Sequence, residues 1–357
     1  MKELRILITG ACGVTSRSIV RSLLLSDLFK KSVFIGTDIC ENPYSIYEGL
    51  YEKIYCVPNN DNKDYRKAIE KILREEKIDV AIVTPELEVL YWIKNPFKVK
   101  SFLPPQSFSE KVISKKTLYE ALSSSSYIPK YKIINKKVIL KNSFKPQFPY
   151  PIWVRDYSAG STSGKGAYLA SNYEQLKSWL IINEKLDTFI ISEYLPGRNF
   201  ACFLLFNKGN LLKIGIAERI DYIMSKVAIS GITGNSSKIK LIKNEAVKTV
   251  AVNAVNMICK TTKEVMNGIV VVDLKEDCER NPLVTEINIR HVAFTSGFAM
   301  AGVNFSEFHL LCALNRADEI DLVLEKNYRQ NNLLLRDVDG VPIFVKNYKP
   351  IKMGKKN

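Results

Sequence analysis

Residues 283 to 292 read LVTEINIRHV, which sets Glu286, Asn288 and Arg290 at alternate positions in a run otherwise rich in Ile, Val and Thr. In an extended strand successive side chains point to opposite faces, so these three polar groups share one face while Ile287 and Ile289 share the other. A second β-branched run, NGIVVVDLKED at 267–277, lies just upstream, with Asp273 where the apolar stretch gives way to charges. Between the two runs, DCERNP is a turn sequence, so an antiparallel hairpin is expected. Across its ladder Asp273 can stand opposite Glu286 and Asn288. Neighbouring carboxylates repel unless a cation sits between them, and two carboxylates with an amide oxygen suit Mg²⁺ (or Mn²⁺) that also holds phosphate oxygens. A single alternating polar strand is more often a solvated sheet face, so other elements have to complete the site.

The segment YPIWVRDYSAGSTSGKGAYLA offers such a complement. It reads as a strand ending near Arg155, a loop with Gly160, Gly164 and Gly166, and a second strand from Ala167. Backbone N–H groups of a glycine-rich loop can approach phosphates, with Arg155 and Lys165 supplying charge. No GxxxxGK[ST] precedes a helix, so this is not a Walker loop. TFIISEYLPGRNFACFLLF adds two strands around Pro196 and Gly197, with Glu193 closing the first, and GNLLKIG extends the meander. NEAVKTVAVNAVNMICKTT reads as a helix leading into the acidic hairpin, and NFSEFHLLCALNRA as a last core helix.

The first hundred residues have a different texture. RILIT, a small-residue turn with Gly10 and Gly13, the helical VTSRSIVRSLLLSDLF and the strand SVFIGTD form a strand–helix–strand unit with Asp38 at its end. The helix DYRKAIEKILREEK and the strand IDVAIVTPE continue the alternation. Gly10, Gly13 and Asp38 could in principle serve a dinucleotide, but Ser16 replaces the third glycine of that fingerprint, which weakens the match. A Pro- and Ser-rich stretch after Lys100 marks a domain junction, followed by the helix KKTLYEAL.

Composition narrows the classes. The 357 residues suffice for two or three domains, and no apolar run approaches twenty residues, so no membrane-spanning helix is expected. The basic start lacks a small-residue cleavage site, which points to a cytoplasmic protein. Seven scattered cysteines without a CxxC pair argue against structural zinc or a disulfide framework, and two histidines leave little room for His-based chemistry. The net charge of +15 favours anionic partners. The basic residues are dispersed apart from the tail from Lys346, with no basic stripe interleaved with aromatics, so small anions are expected and nucleic acid and membrane are not.

Taken together, ILITGACG, TPELEVLYW, the helix of Lys116, VRDYSAGSTSGKG, IISEYLPG, IVVVD and VTEINIR, followed by Ala-Gly-Val-Asn, resemble the ATP-grasp superfamily, most closely the carbamoyl-phosphate-synthase-like carboxylate–amine ligases. The resemblance runs over nearly the whole chain in order. It implies a mixed α/β and α+β protein: an N-terminal Rossmann-like, pre-ATP-grasp parallel domain (1–105), a small lobe with the glycine loop (106–192), a large lobe with the metal site (193–330), and a C-terminal hairpin and basic tail (331–357). It further implies ATP between the lobes. Lys116, with Lys115 as the alternative, and Arg155 would meet the phosphates. Gly160, Ser161, Ser163, Gly164, Lys165 and Gly166 would cover them, while Glu193, Tyr194, Leu195 and Asn199 would lie at the adenine and ribose end. Asp273, Glu286 and Asn288 would hold Mg²⁺, and Arg290 and Arg219 would contact the transferred phosphoryl group or the substrate carboxylate.

The implied partners are a small-molecule carboxylate and an amine, and a homodimer is compatible with the resemblance. Three positions depart from the family pattern: Asn199 stands where a ribose-binding Glu is usual, Asp156 where proline is usual, and Ala293 where carbamoyl phosphate synthases have a second Arg. The last argues against carbamoyl phosphate itself as the product. The competing readings are an NAD(P)-dependent oxidoreductase using the first domain and a non-catalytic ATP-binding protein.

Overall fold

A computed structural model describes residues 3–41, 44–141, 144–157, 167–184, 186–226, 233–321, 323–325 and 332–337. Strands β1 (Arg5–Thr9), β2 (Val33–Asp38), β3 (Lys53–Cys56), β4 (Val80–Ile82) and β5 (Lys100–Ser101) form a parallel sheet in the order β3-β2-β1-β4-β5. Helices α1 (Val14–Leu24), α2 (Tyr44–Tyr47), α3 (Tyr65–Glu75) and α4 (Glu86–Lys94) provide its crossovers. β1 and β4 are buried through their Ile, Leu, Ala and Val residues, the near-continuous apolar texture of strands covered on both faces. Gly10 makes the first turn at φ +60, and a Cβ there would come within 2.8 Å of the Pro85 side chain, so the β1–α1 turn needs glycine for both backbone and space.

Helices α5 (Gln106–Val112) and α6 (Lys115–Ala121) lead to a four-stranded antiparallel sheet, β6-β9-β7-β8, made of β6 (Tyr131–Asn135), β7 (Ile152–Asp156), β8 (Tyr168–Ala170) and β9 (Thr188–Glu193). α7 (Lys136–Ile139) and α8 (Tyr173–Ile182) accompany it, and a separate core around Ile152, Val154, Leu176 and Phe189 holds it together.

The third sheet has six strands in the order β14-β13-β10-β11-β12-β15. It comprises β10 (Asn199–Asn207), β11 (Asn210–Tyr222), β12 (Ser236–Ile242), β13 (Gly268–Glu276), β14 (Pro282–Asn288) and β15 (Leu333–Leu335). α9 (Glu245–Thr262) covers one face. Its start is fixed by Asn244, whose side chain accepts from Val247 N–H, and by Glu245 in the first turn, and its end by Lys263 in the left-handed region. α10 (Thr295–Met300) and α11 (Phe305–Ala313) cover the other face, with the Phe298 and Phe305 rings packed at a tilt against Phe203.

These last two helices also carry the parallel domain. Ser18 of α1 donates to Ser296 Oγ at 2.9 Å and accepts from Ser296 N–H at 2.8 Å, and Asn304 donates to Ser22 O at 2.7 Å. The apolar residues of α1 and of α10 and α11 share one core. The parallel sheet is thus docked on the six-stranded sheet through buried contacts that extend over both.

The sequence reading located β1, β2, β4, β7, β9, β10, β13 and β14 and the principal helices. It did not identify β3, β6, β12 or the short β5. β15 pairs with β12 through Lys238–Leu335 to Lys240–Leu333 and extends the large sheet. The rest of the proposed C-terminal hairpin and the basic tail from Lys346 lie outside the described residues. No helix among the described residues is long and apolar enough to cross a membrane.

Candidate active site

The acidic hairpin forms in the expected register. Asp273 pairs with Glu286 and Val271 with Asn288, with a bulge between Asp273 and Leu274. Ile287 and Ile289 are buried in the core beneath α9, which fixes the opposite face, with Glu286, Asn288 and Arg290, toward a cavity. The bulge adds a residue to β14, and Thr285 Oγ1 donates to Asp273 O at 3.2 Å there.

This cavity of about 270 Å³ is walled by elements of the two antiparallel sheets and by the start of α1. Trp153 and Arg155 come from β7, Ser192 and Glu193 from β9, and Tyr194 and Leu195 from the connection to β10. Asn199, Arg219, Tyr222, Asp273 and Lys275 come from the large sheet. Val14 and Thr15 at the start of α1 reach the same space.

The charges are arranged as opposed pairs. Arg219 donates to Asp273 Oδ1 at 2.7 Å, and Lys115 donates to Glu286 Oε2 at 3.2 Å. Burial pushes the Asp273 carboxyl above its ordinary range, against the pull of Arg219 and with the push of Glu286. Burial also acts to raise Glu286, but Lys115 and Arg155 outweigh it and hold that carboxyl below the ordinary range. Lys275, 5.2 Å above the Tyr194 ring, is pushed down by burial and by Arg155. A low-dielectric cleft in which Lys115, Arg155, Arg219 and Arg290 surround the Asp273 and Glu286 carboxylates favours a polyanion with a cation at its oxygens.

The proposed site residues that are described fall into two groups. Arg155, Glu193, Tyr194, Leu195, Asn199, Arg219, Asp273, Glu286, Asn288 and Arg290 all border the one cavity. Lys116 does not: its ammonium lies 5.3 Å over the Tyr157 ring and 3.9 Å from Glu120, while Lys115, the alternative, lines the cleft. The reason is helical rotation, since one residue along α6 turns the side chain by about 100°. Gly160, Ser161, Ser163, Gly164, Lys165 and Gly166 lie outside the described residues. Asp156, buried at the end of β7, does not border the cavity, because strand alternation sends it to the face opposite Arg155.

Glu193 has a structural task too. Its carboxylate accepts from Lys130 N–H at 2.8 Å, and its own N–H donates to Lys130 O at 3.0 Å. Beyond it the connection is clamped: Gly197 N–H donates to Glu276 O at 3.0 Å, and Arg198 pairs with Glu276 at 2.7 Å. A Cβ at Gly197 would approach the Glu276 Cβ to 2.5 Å, so the close contact itself requires glycine. At Asn199 the amide donates to Tyr222 Oη at 2.5 Å and accepts from Arg219 at 3.3 Å. A neutral residue here leaves the Arg219 charge to Asp273. Sequence reasoning missed Lys275 and Tyr222: Lys275 follows Asp273 on the same strand face and meets Asn199 through sheet pairing, and Tyr222 reaches Asn199 from β11.

As a fit to a metal, the donors present are the Asp273 and Glu286 carboxylates and the Asn288 amide. Among the described residues no three His, Cys, Asp or Glu side chains gather to hold an ion. A hard-oxygen set of this size suits Mg²⁺ that takes its remaining ligands from phosphate and water.

The turn of the first domain is arranged differently. Asp38 spends one oxygen on Cys12 N–H at 2.8 Å and the other on Cys40 N–H at 3.0 Å, and Ser16 Oγ is buried against Thr9 O and Thr84 Oγ1 at 2.8 Å each. A dinucleotide would need Asp38 for a ribose and glycine at Ser16, so this geometry disfavours the oxidoreductase reading.

No family model matches the chain, and no curated protein sequence does. Solved structures do. The L-amino acid ligase from Bacillus licheniformis superimposes with a TM-score of 0.63 at 14% identity, covering 90% of this chain and 78% of that one. The N5-carboxyaminoimidazole synthetase from Staphylococcus aureus, complexed with ADP, gives 0.64 at 16%, covering 94% and 81%. A putative ATP-grasp superfamily protein from Archaeoglobus fulgidus gives 0.55 at 18%, covering 86% and 88%. The chain therefore has the ATP-grasp fold, with a parallel α/β domain preceding two antiparallel lobes.

Proposed function

We propose that the chain is an ATP-dependent ligase that activates a small-molecule carboxylate as an acyl phosphate and joins it to an amine, releasing ADP and phosphate. The observation that carries this reading is the pairing of Asp273 with Glu286 on a strand face that also bears Asn288 and Arg290, opposite Arg155 in one cleft. In this reading residues 1–105, 106–192, 193–330 and 331–357 are the working units, the substrates are small molecules and not nucleic acid, and the reaction takes place in the cytoplasm.

The chemistry asks little of the protein beyond position and charge. A carboxylate is a poor acyl donor because its leaving group would be oxide. Attack of its oxygen on the γ-phosphorus expels ADP and makes an acyl phosphate. The amine then attacks the acyl carbon, loses a proton and expels phosphate. Lys115 and Arg155 would bind phosphate oxygens, with Arg155 nearest the glycine-rich segment in sequence, and Glu193, Tyr194 and Leu195 would seat the base. Arg290 and Arg219 would orient the carboxylate and balance the charge spread over the transferred group. Asp273, Glu286 and Asn288 would hold Mg²⁺, or Mn²⁺ in its place, which when bound supplies charge neutralisation at the β- and γ-phosphate oxygens.

Two measurements test the proposal. Isothermal titration should show Mg-ATP binding, and its absence at millimolar nucleotide ends the reading. With an acid substrate labelled with oxygen-18 in its carboxyl group, one label should pass to inorganic phosphate. Label in AMP would mean adenylation and would remove the acyl phosphate.

A further inference from the structure

The strand that carries Asp273 places a second charge on the same face two residues further on. Lys275 lines the cleft, and strand geometry puts it roughly 7 Å along β13 from the acidic pair. The register is regular here, with Asp273 opposite Ala201 and Lys275 opposite Asn199 on β10. Other cleft cations have carboxylates: Lys115 has Glu286 at 3.2 Å, Arg219 has Asp273 at 2.7 Å, and Arg290 has Glu86 at 4.0 Å. The Lys275 ammonium makes no hydrogen bond or ion pair among the described residues. It lies 5.2 Å over the Tyr194 ring, and burial together with Arg155 acts against its charge. A half-buried ammonium so placed gains by donating to a ligand.

The walls of the cleft divide by chemistry. Trp153 on β7, Ala167 before β8 and Leu195 after β9 form a buried apolar side, against which a nucleotide base can lay its flat faces. Around Lys275 the groups are polar. Asn199, directly across the ladder, already has its amide engaged, donating to Tyr222 Oη at 2.5 Å and accepting from Arg219 at 3.3 Å. Asn199, Arg219, Tyr222 and Lys275 also border a wider groove of about 770 Å³, which Arg198 and Arg280 continue. In a nucleotide the sugar joins base to phosphates. With the phosphates at the acidic pair and the base on the apolar side, the sugar falls at Lys275, and its hydroxyl oxygens can accept as well as donate.

We infer that Lys275 is the residue that recognises the sugar of the nucleotide, its ammonium donating to the ribose hydroxyl oxygens and so selecting a ribonucleotide over a deoxyribonucleotide. This rests on the ligase reading for the direction in which the nucleotide lies in the cleft. Asn199 does not take this task, because its amide oxygen is held by Arg219. Lys275 determines specificity at the nucleoside end, away from the transferred group, so its loss acts on affinity and sugar preference.

The test is calorimetric titration of the full chain with Mg-ADP and with Mg-2′,3′-dideoxyADP, which lacks both hydroxyls, for the wild type, Lys275→Met and Lys275→Arg. The wild type should bind Mg-ADP roughly tenfold more tightly than the dideoxy compound, the scale of a hydrogen bond to a charged group. Lys275→Met keeps the length and apolar stem of the side chain and should bind the two alike. Lys275→Arg keeps the charge and the donors and should still prefer Mg-ADP. All three chains should melt at similar temperatures, since the ammonium has no partner among the described residues to lose. A structural role would move the melting temperature and leave the ratio of the two affinities alone. The same ratio in Lys275→Met as in the wild type overturns the assignment even if both affinities fall, because Lys275 would then act on the phosphates or the base. A wild type that binds the two nucleotides equally overturns it as well. In both cases Mg-ADP still binds and the ligase reading stands. A wild type that binds neither nucleotide ends the ligase reading, and the sugar assignment falls with it.

Discussion

Asp38 and Asp273 are both strand acids bordering a cavity, but they are employed in opposite ways. Asp38 holds two backbone N–H groups of its own neighbourhood, Cys12 and Cys40, and by doing so shapes the turn after β1. Asp273 accepts from a side chain, Arg219, which reaches it from two strands away across β10. The first carboxylate is satisfied by local backbone and has structural work. The second is held by a cation that a ligand could replace, in a cleft with further cations around it. A strand acid therefore reports a site by the kind of group that satisfies it.

The sharpest way to break that contrast is Glu286→Gln, which keeps size and removes the charge opposite Asp273. Turnover should fall by roughly a hundredfold or more, as for loss of a group that stabilises developing charge, while the melting temperature stays near wild type. Activity near wild type in the variant would show that the hairpin is not the reacting side of the cleft.

The next effect concerns the support behind Arg290, whose guanidinium donates to His291 O at 2.9 Å. His291 and His309 lie 3.2 Å apart and are both buried, and burial pushes His309 down to about 4. The unfolded chain binds protons at these rings from about pH 6.5 downward and the folded one does not. Stability contributed by the neutral pair is therefore complete above about 6.5 and is lost as pH falls toward 4, by on the order of 3 kcal/mol. Urea melts at pH 7 and pH 5 should show the drop, and a His309→Gln chain should show less of it. Equal pH dependence in that variant would place the acid sensitivity elsewhere.

A smaller effect is expected at the first acid of the comparison. Asp38→Asn leaves one backbone N–H facing an amide donor and should cost about 1–3 kcal/mol in stability, without changing Mg-ATP affinity. Weaker nucleotide binding in a folded Asp38→Asn chain would mean that the two cavities act as one. The smallest expected signal is with nucleic acid. Binding to unrelated duplex or single strands should be weak, and a steep fall of affinity with log salt would contradict the assignment of the basic charge to small anions.

Much of this was written in local sequence. Alternation in VTEINIR set which residues face together, because strand geometry has a period of two whatever the partner. The turn DCERNP then set Asp273 against Glu286, and the strand–helix alternation of the first hundred residues set a parallel sheet. Lys115 and Lys116 were indistinguishable in sequence. Adjacent residues of a short helix differ only in the direction they face, and that direction depends on how α6 packs beside α5 and β14. Tyr222 was invisible because its nearness to the site comes from strands joined across the sheet, dozens of residues apart, whereas Lys275 shares the Asp273 face by strand alternation and could have been read from the sequence. Asn199 looked like a loss of ribose contact, yet it also leaves Arg219 to Asp273. The approach of α1 to the cleft was the least legible of all. It depends on Ser18, Ser22, Ser296 and Asn304 locking two domains together, and no local pattern encodes a contact between helices nearly three hundred residues apart. Sequence periodicity decided which groups share a face, and tertiary packing decided which faces meet, because the first is a property of backbone geometry and the second of how buried surfaces fit.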